Sequence, residues 1–208
     1  MNIKLYYCPH TRAFRVHWLL EELQATYELE YVNLFKGEAN SQSYKSVHPL
    51  GYLPAIEADG VPMFESGAIC SWLTSQFPEK KLAPAQNAKN RREYEQWMYF
   101  VPGEVEPPIF YYGLHNRILP KEVQVKDVLP WLMDRYTHVL ETLQHQLENR
   151  EYLLGEKFST ADIMLGSTLN WAPKLLKPYN ALEEYVARLS KRKPYIKALN
   201  ENNKKLEE

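Results

Sequence analysis

Cysteine is scarce in this chain: of 208 residues, only Cys8 and Cys70 carry a thiol. Two cysteines exclude a disulfide framework and a structural zinc site built on thiolates, which leaves reactivity or packing as their roles. An excess of either charge is missing too, with 25 Lys and Arg against 26 Asp and Glu and no basic tract. Nothing therefore draws the protein as a whole to nucleic acid or to an anionic membrane. The first residues hold no apolar signal core, and no later run is long and apolar enough to span a bilayer. A cytoplasmic protein is expected. His10, His17, His48, His115, His138 and His145 show no clustered ligand pattern, and no metal is expected.

What is present suffices for a core: 45% hydrophobic residues, 15 Tyr and 5 Trp, in one large or two small domains. Ile3, Leu5 and Tyr7 alternate with Lys4 and Tyr6, the period of a half-buried strand. Val16, Leu19, Leu20 and Leu23 then follow helical spacing from about Thr11, with Glu21 and Glu22 on the other side. Tyr27, Leu29 and Tyr31 predict a second strand, parallel to the first because a helix carries the crossover. Leu53 to Glu57 and Val61 to Glu65 flank Asp59-Gly60, a strong hairpin signal. Ser66 is expected to cap a helix bearing Ile69, Leu73 and Phe77, which Pro78 ends.

Residues 1–78 thus read as a βαβ-ββα domain and 79–87 as a linker, with 88–208 helical throughout. In the helical part Leu129 to Leu147 carry a continuous apolar stripe starting near Pro130, and Ser159 to Asp162 form a capping box before Ile163. Pro102, Pro107 and Pro108 predict a helix break, and Glu201 to Glu208 a charged, fraying tail.

The chemistry concentrates in two stretches, Gly51 to Ile56 and Phe64 to Ile69. A proline entering a strand removes a ladder donor and leaves neighbouring backbone groups available to a peptide-like ligand. At Glu65 and Ser66 a carboxylate, a hydroxyl and unpaired helix N–H groups converge where a strand gives way to a helix. Such a spot suits a zwitterionic amino acid head.

Together with Thr11-Arg12-Ala13-Phe14-Arg15-Val16, Trp18 to Leu23, His48-Pro49-Leu50-Gly51 and Ser159 to Asp162, these stretches resemble the cytosolic glutathione transferases over nearly the whole chain. The nearest pattern is the fungal and bacterial branch with Ser-Arg-Ala-Phe-Arg in its first helix, where this chain has Thr11. The resemblance implies a thioredoxin-like α/β N-terminal domain followed by an all-α domain. It also implies a homodimer with a detoxifying activity that joins glutathione, as co-substrate, to small apolar electrophiles. By the same resemblance Leu53 pairs its backbone with the cysteinyl part, a cis Pro54 shapes that edge, and Glu65 with Ser66 holds the γ-glutamyl group.

The group facing the sulfur stays open. Thr11 takes the place of the family's first-helix serine, and Tyr6 falls where the tyrosine-type transferases keep their phenol; Arg12 would support either. Cys8, followed by Pro9 as in glutaredoxins and omega-type transferases, would instead make a thiol-disulfide reductase. A third alternative is a non-catalytic protein that binds glutathione, another ligand or a protein partner on the same fold. Many relatives carry lysine where Tyr52 stands, and His48 is a substitute cation for the glycyl carboxylate. Phe110, Tyr111, Tyr112, Trp171 and Tyr179 are candidate walls for the apolar acceptor.

Overall fold

A computed structural model describes residues 1–34 and 36–204. The chain runs β1 (Ile3–Tyr7), α1 (Ala13–Leu23), β2 (Tyr27–Tyr31), α2 (Gln42–Lys45), β3 (Ala55–Ala58), β4 (Val61–Phe64) and α3 (Ser66–Gln76). It continues through α4 (Arg91–Phe100), α5 (Glu106–Gly113), α6 (Leu129–Leu147), α7 (Thr160–Leu169), α8 (Asn180–Ser190) and α9 (Lys193–Lys204). One compact unit comprises Met1–Ala83 together with the chain from Ser190, and the other Pro84–Leu189. By its contacts α9 groups with the first unit.

In that unit the sheet order is β2-β1-β3-β4, with β1 parallel to β2 and both other pairings antiparallel. The alternation read in β1 holds: Ile3, Leu5 and Tyr7 are buried, and the Tyr7 ring lies 6.3 Å from that of His17 on α1. Tyr6, on the opposite face, meets Tyr44 of α2 edge-on at 5.5 Å. Asp59 and Gly60 both adopt positive φ, 49° and 80°, as a two-residue hairpin turn between right-twisted strands requires. Pro62 is tolerated because β4 is an edge strand.

Two local expectations are corrected here. Ser66 does not cap α3: Glu65 occupies the cap position, and Ser66 is the first helical residue, with a buried side chain. Nor does the Glu21 and Glu22 side of α1 face solvent. Phe14 and Trp18 pack edge-on against Tyr195 of α9, and the Glu22 carboxylate accepts from Trp18 Nε1 at 2.9 Å and from Arg192 at 2.6 and 2.8 Å. The expected fraying tail is therefore ordered helix through Lys204; residues 205–208 of that expectation lie outside the described residues.

In the second unit Pro102, Pro107 and Pro108 do not break the helical path. Val101–Val105 is a wide π turn in which the Glu106 N–H donates to the Val101 carbonyl five residues back. Pro107 and Pro108 follow directly in α5, and the wider turn before them accommodates residues that cannot donate. α6 follows the predicted stripe, burying Leu132, Tyr136, Leu140, Leu143 and Leu147. α7 is buried at every residue, and the expected capping box is present at its start. Asp162 accepts from the N–H groups of Leu153 and Ser159, both at 2.8 Å, and from the hydroxyls of Ser159 and Tyr185, both at 2.9 Å. Burial raises its carboxyl above the ordinary carboxylate range, and these donors pull the other way.

Candidate functional site

Gly51 sets up the segment that precedes β3. Its φ is +66°, and a Cβ there would lie 2.4 Å from the Ala39 carbonyl oxygen. Only glycine fits this approach. The Tyr44 hydroxyl donates to the Tyr52 carbonyl at 2.7 Å and fastens the next residue. A cis peptide bond then joins Leu53 to Pro54. The side chain of Leu53 packs into a cluster with Cys8, Val32, Ala39, Tyr44, Val47 and Ala55. Its N–H and C=O find no hydrogen-bond partner among the described residues, since the ladder to β1 ends at the pair Tyr6 and Ala55.

The β3–β4 register ends at the pair Ala55 and Phe64, so Leu53-Pro54 and Glu65-Ser66 leave the ladder at the same end. Glu65 is exposed and holds φ 70° and ψ 107°; its carbonyl accepts from the Ile69 N–H at 2.8 Å, while its carboxylate makes no hydrogen bond or ion pair among the described residues. A non-glycine residue in this region of φ stores about 1–3 kcal/mol. No side chain caps α3, and its first N–H groups have no helical partner.

Behind Ser66 stands Arg15 of α1, 1% exposed, donating from Nη1 to the Ser66 Oγ at 3.2 Å. A guanidinium has no acceptor, so Ser66 must accept and its own O–H points elsewhere. In the sequence Arg15 appears only within the Thr11 to Val16 motif. The signal available was a charge inside an otherwise apolar helical stretch. Arg15 also lowers the Cys70 thiol, but full burial outweighs it and pushes Cys70 up to about 12.

The three candidates for the sulfur differ in what they already hold. The Thr11 hydroxyl donates to the Cys8 carbonyl at 2.7 Å and accepts from the Ala13 N–H at 3.3 Å, while Arg12 occupies the cap position of α1. The Tyr6 hydroxyl donates to Glu57 of β3, and burial followed by that carboxylate raises the phenol above its ordinary value. Cys8 is buried at 3% exposure in the cluster beneath Leu53. His10, in the same loop, is exposed.

His48 is buried with its Nδ1 accepting from the Leu50 N–H at 3.3 Å and its ring against Tyr52 and Phe64. Burial lowers its pKa against the pull of Glu65, so it is a packing residue rather than a cation at neutral pH. Of the five aromatic residues expected to wall an acceptor pocket, Tyr111 lines a cavity of about 300 Å³ within the second unit. Its other walls include Pro107, Pro108, Trp131 and Leu132.

His17, Glu21 and Glu201 bring one ring nitrogen and two carboxylates within 4.8 Å of one another. Their atoms are engaged by Tyr27, Lys197 and Asn202, a hydrogen-bonded network in which a lysine neutralises one carboxylate. None of the three belongs to the Leu53, Glu65 and Ser66 constellation.

Comparison with known proteins defines the class. The N-terminal domain model of glutathione S-transferase matches residues 1–75 and the C-terminal domain model residues 109–201. The chain belongs to the glutathione S-transferase family. It is 25% identical to glutathione S-transferase 3 of Schizosaccharomyces pombe over 216 residues, 91% of this chain and 84% of that protein. It is 28% identical to the disulfide-bond oxidoreductase YfcG of Escherichia coli K12, over 91% of each. Among solved structures, a glutathione transferase family member from Pseudomonas fluorescens with two glutathione bound superposes with a TM-score of 0.85 at 26% identity, covering 95% of this chain and 92% of that one.

Proposed function

We propose that this protein is a glutathione transferase whose first unit holds the tripeptide and whose bound thiolate attacks a small apolar electrophile. The observation that carries the reading is the unpartnered Leu53 main chain at the same end of the β3–β4 ladder as Glu65 and Ser66. Leu53 offers one donor and one acceptor to the cysteinyl peptide group. Glu65 supplies a carboxylate for the ammonium of the γ-glutamyl end. The Ser66 O–H, turned outward by Arg15, donates to its carboxylate. Glutathione-bound relatives of the same fold support this ligand.

Lowering a free thiol from about 8.5 by two units takes about 2.7 kcal/mol of preferential thiolate stabilisation. Thr11 supplies part of it in this reading. It exchanges a neutral carbonyl acceptor for an anionic sulfur, and charge-assisted hydrogen bonds are roughly twice as strong as neutral ones. Tyr6 would have to abandon the Glu57 carboxylate, so the same exchange gains it little. Catalysis then rests on proximity and thiolate stabilisation from the chain's own groups, with Arg12 as the adjacent positive charge.

The decisive measurement is glutathione affinity and conjugation of a chloronitrobenzene across pH for wild type, Thr11→Ala, Tyr6→Phe and Cys8→Ser. Thr11→Ala should lose on the order of 10²-fold in kcat, with the other two near wild type. Glutathione binding without any rate above the uncatalysed reaction would replace the transferase by a binding protein. Loss of binding should follow in the Glu65→Ala, Ser66→Ala double variant by calorimetry; if wild type ignores glutathione equally, the reading fails. The Escherichia coli relative favours a second reading, disulfide reduction, in which glutathione thiolate opens a disulfide. Burial of Cys8 argues that this thiol is not the nucleophile in that case.

A further inference from the structure

His17 is fully buried between three elements. Its Nε2 lies 2.9 Å from both the Tyr27 hydroxyl of β2 and Glu201 Oε2 of α9. On the other edge of the ring, Nδ1 lies 2.7 Å from Asn202 Nδ2 of α9. That amide nitrogen also donates to the Ala198 carbonyl at 2.9 Å. Both amide hydrogens are thus in use, which fixes the orientation of Asn202 and obliges Nδ1 to accept. The ring proton therefore sits on Nε2, shared between Tyr27 and Glu201, and the imidazole is neutral.

A second proton could attach only at Nδ1, where it would face an N–H already donating. Turning the amide over would bring Oδ1 to the new N–H but set that oxygen against the Ala198 carbonyl. Either response breaks a bond that holds α9. From these contacts we infer that neutral His17 is a latch fastening the last turns of α9 to α1, and that protonation in mild acid releases them.

Every charged neighbour has been placed. From α1 Glu21 accepts from the Tyr27 hydroxyl of β2 and pairs with Lys197 of α9 at 2.9 Å, and from α9 Glu201 accepts from Nε2. From β1 Tyr7 contributes a ring. α3, the remaining helix on α1, contributes no charged group to His17 among the described residues. The carboxylates favour a charged ring, yet burial is the larger influence and lowers the pKa. A lowered folded value means that the latch is complete above the free imidazole value of about 6.5 and is lost as pH falls below it. The start of α9 stays held by Tyr195 and by Arg192 on Glu22, so release is local.

Amide hydrogen exchange on the intact chain tests this. Protection of residues 198–204 relative to α3 should fall below about pH 6.5 with a slope of up to about tenfold per pH unit, one proton's worth. In Asn202→Asp a carboxylate accepts from Nδ1–H, so protection should instead rise on acidification. Exchange that tracks α3 at all pH values, or an Asn202→Asp profile like wild type, overturns the latch. If that variant does not fold, the imidazole ¹⁵N shifts of wild type decide: a neutral ring with its proton on Nε2 is expected, and a proton on Nδ1 overturns the proposal.

Discussion

Glu65 combines an unfavourable backbone with an unpaired carboxylate, and the two facts point the same way. A residue that holds φ 70° while its carboxylate bonds to nothing among the described residues is a candidate for ligand binding. Glu65→Gly should therefore raise stability by up to about 1 kcal/mol in urea denaturation. It should also weaken glutathione binding about 10- to 100-fold, the loss of one charge-assisted hydrogen bond. Arg15 acts one step back, as a positioning residue. Arg15→Leu frees the Ser66 O–H to turn inward and should raise KM for glutathione about tenfold, with kcat at saturation little changed. Arg15→Lys still donates to Ser66 and should recover most of that loss.

At the scale of elements, the proposed binding edge is a loop held open by glycine. A methyl at Gly51 would meet the Ala39 carbonyl at 2.4 Å and occupy a backbone conformation that L residues rarely adopt. Gly51→Ala should cost about 1–3 kcal/mol and shift the Tyr52 to Pro54 segment. Weaker glutathione binding in calorimetry, with retained helical circular dichroism, would locate the damage in the loop. The π turn before α5 shows the same economy of means in the second unit. Prolines that sequence rules place as breakers are accommodated by one wider turn, because a five-residue bond moves the positions at which an N–H is required.

At the scale of the whole molecule, each unit exposes large apolar side chains: Leu50, Tyr52, Val61 and Phe64 in the first, Tyr99, Tyr111 and Trp131 in the second. We propose that the homodimer implied by the family resemblance forms through such apolar side chains. Sedimentation equilibrium should give twice the 24.5 kDa chain mass, and Tyr52→Glu should shift it toward the monomer. A monomer at all concentrations would remove the dimer from the proposal. None of the described helices is long and apolar enough to cross a membrane.

The sequence by itself determined the elements whose causes are local. β1, α1 and β2, the Asp59-Gly60 turn, the stripe of α6 and the capping box of α7 each depend on residues within a few positions of one another, so periodicity and turn chemistry reveal them. The motif residues Leu53, Pro54, Glu65 and Ser66 were legible for the same reason. Tertiary structure alone decided the partners: Arg15 on Ser66 and Tyr6 on Glu57, each 51 residues apart, and His17 on Asn202, 185 apart. A hydrogen bond is fixed by distance in space, and burial by whichever element covers a face. Neither quantity exists until distant stretches of the chain have packed.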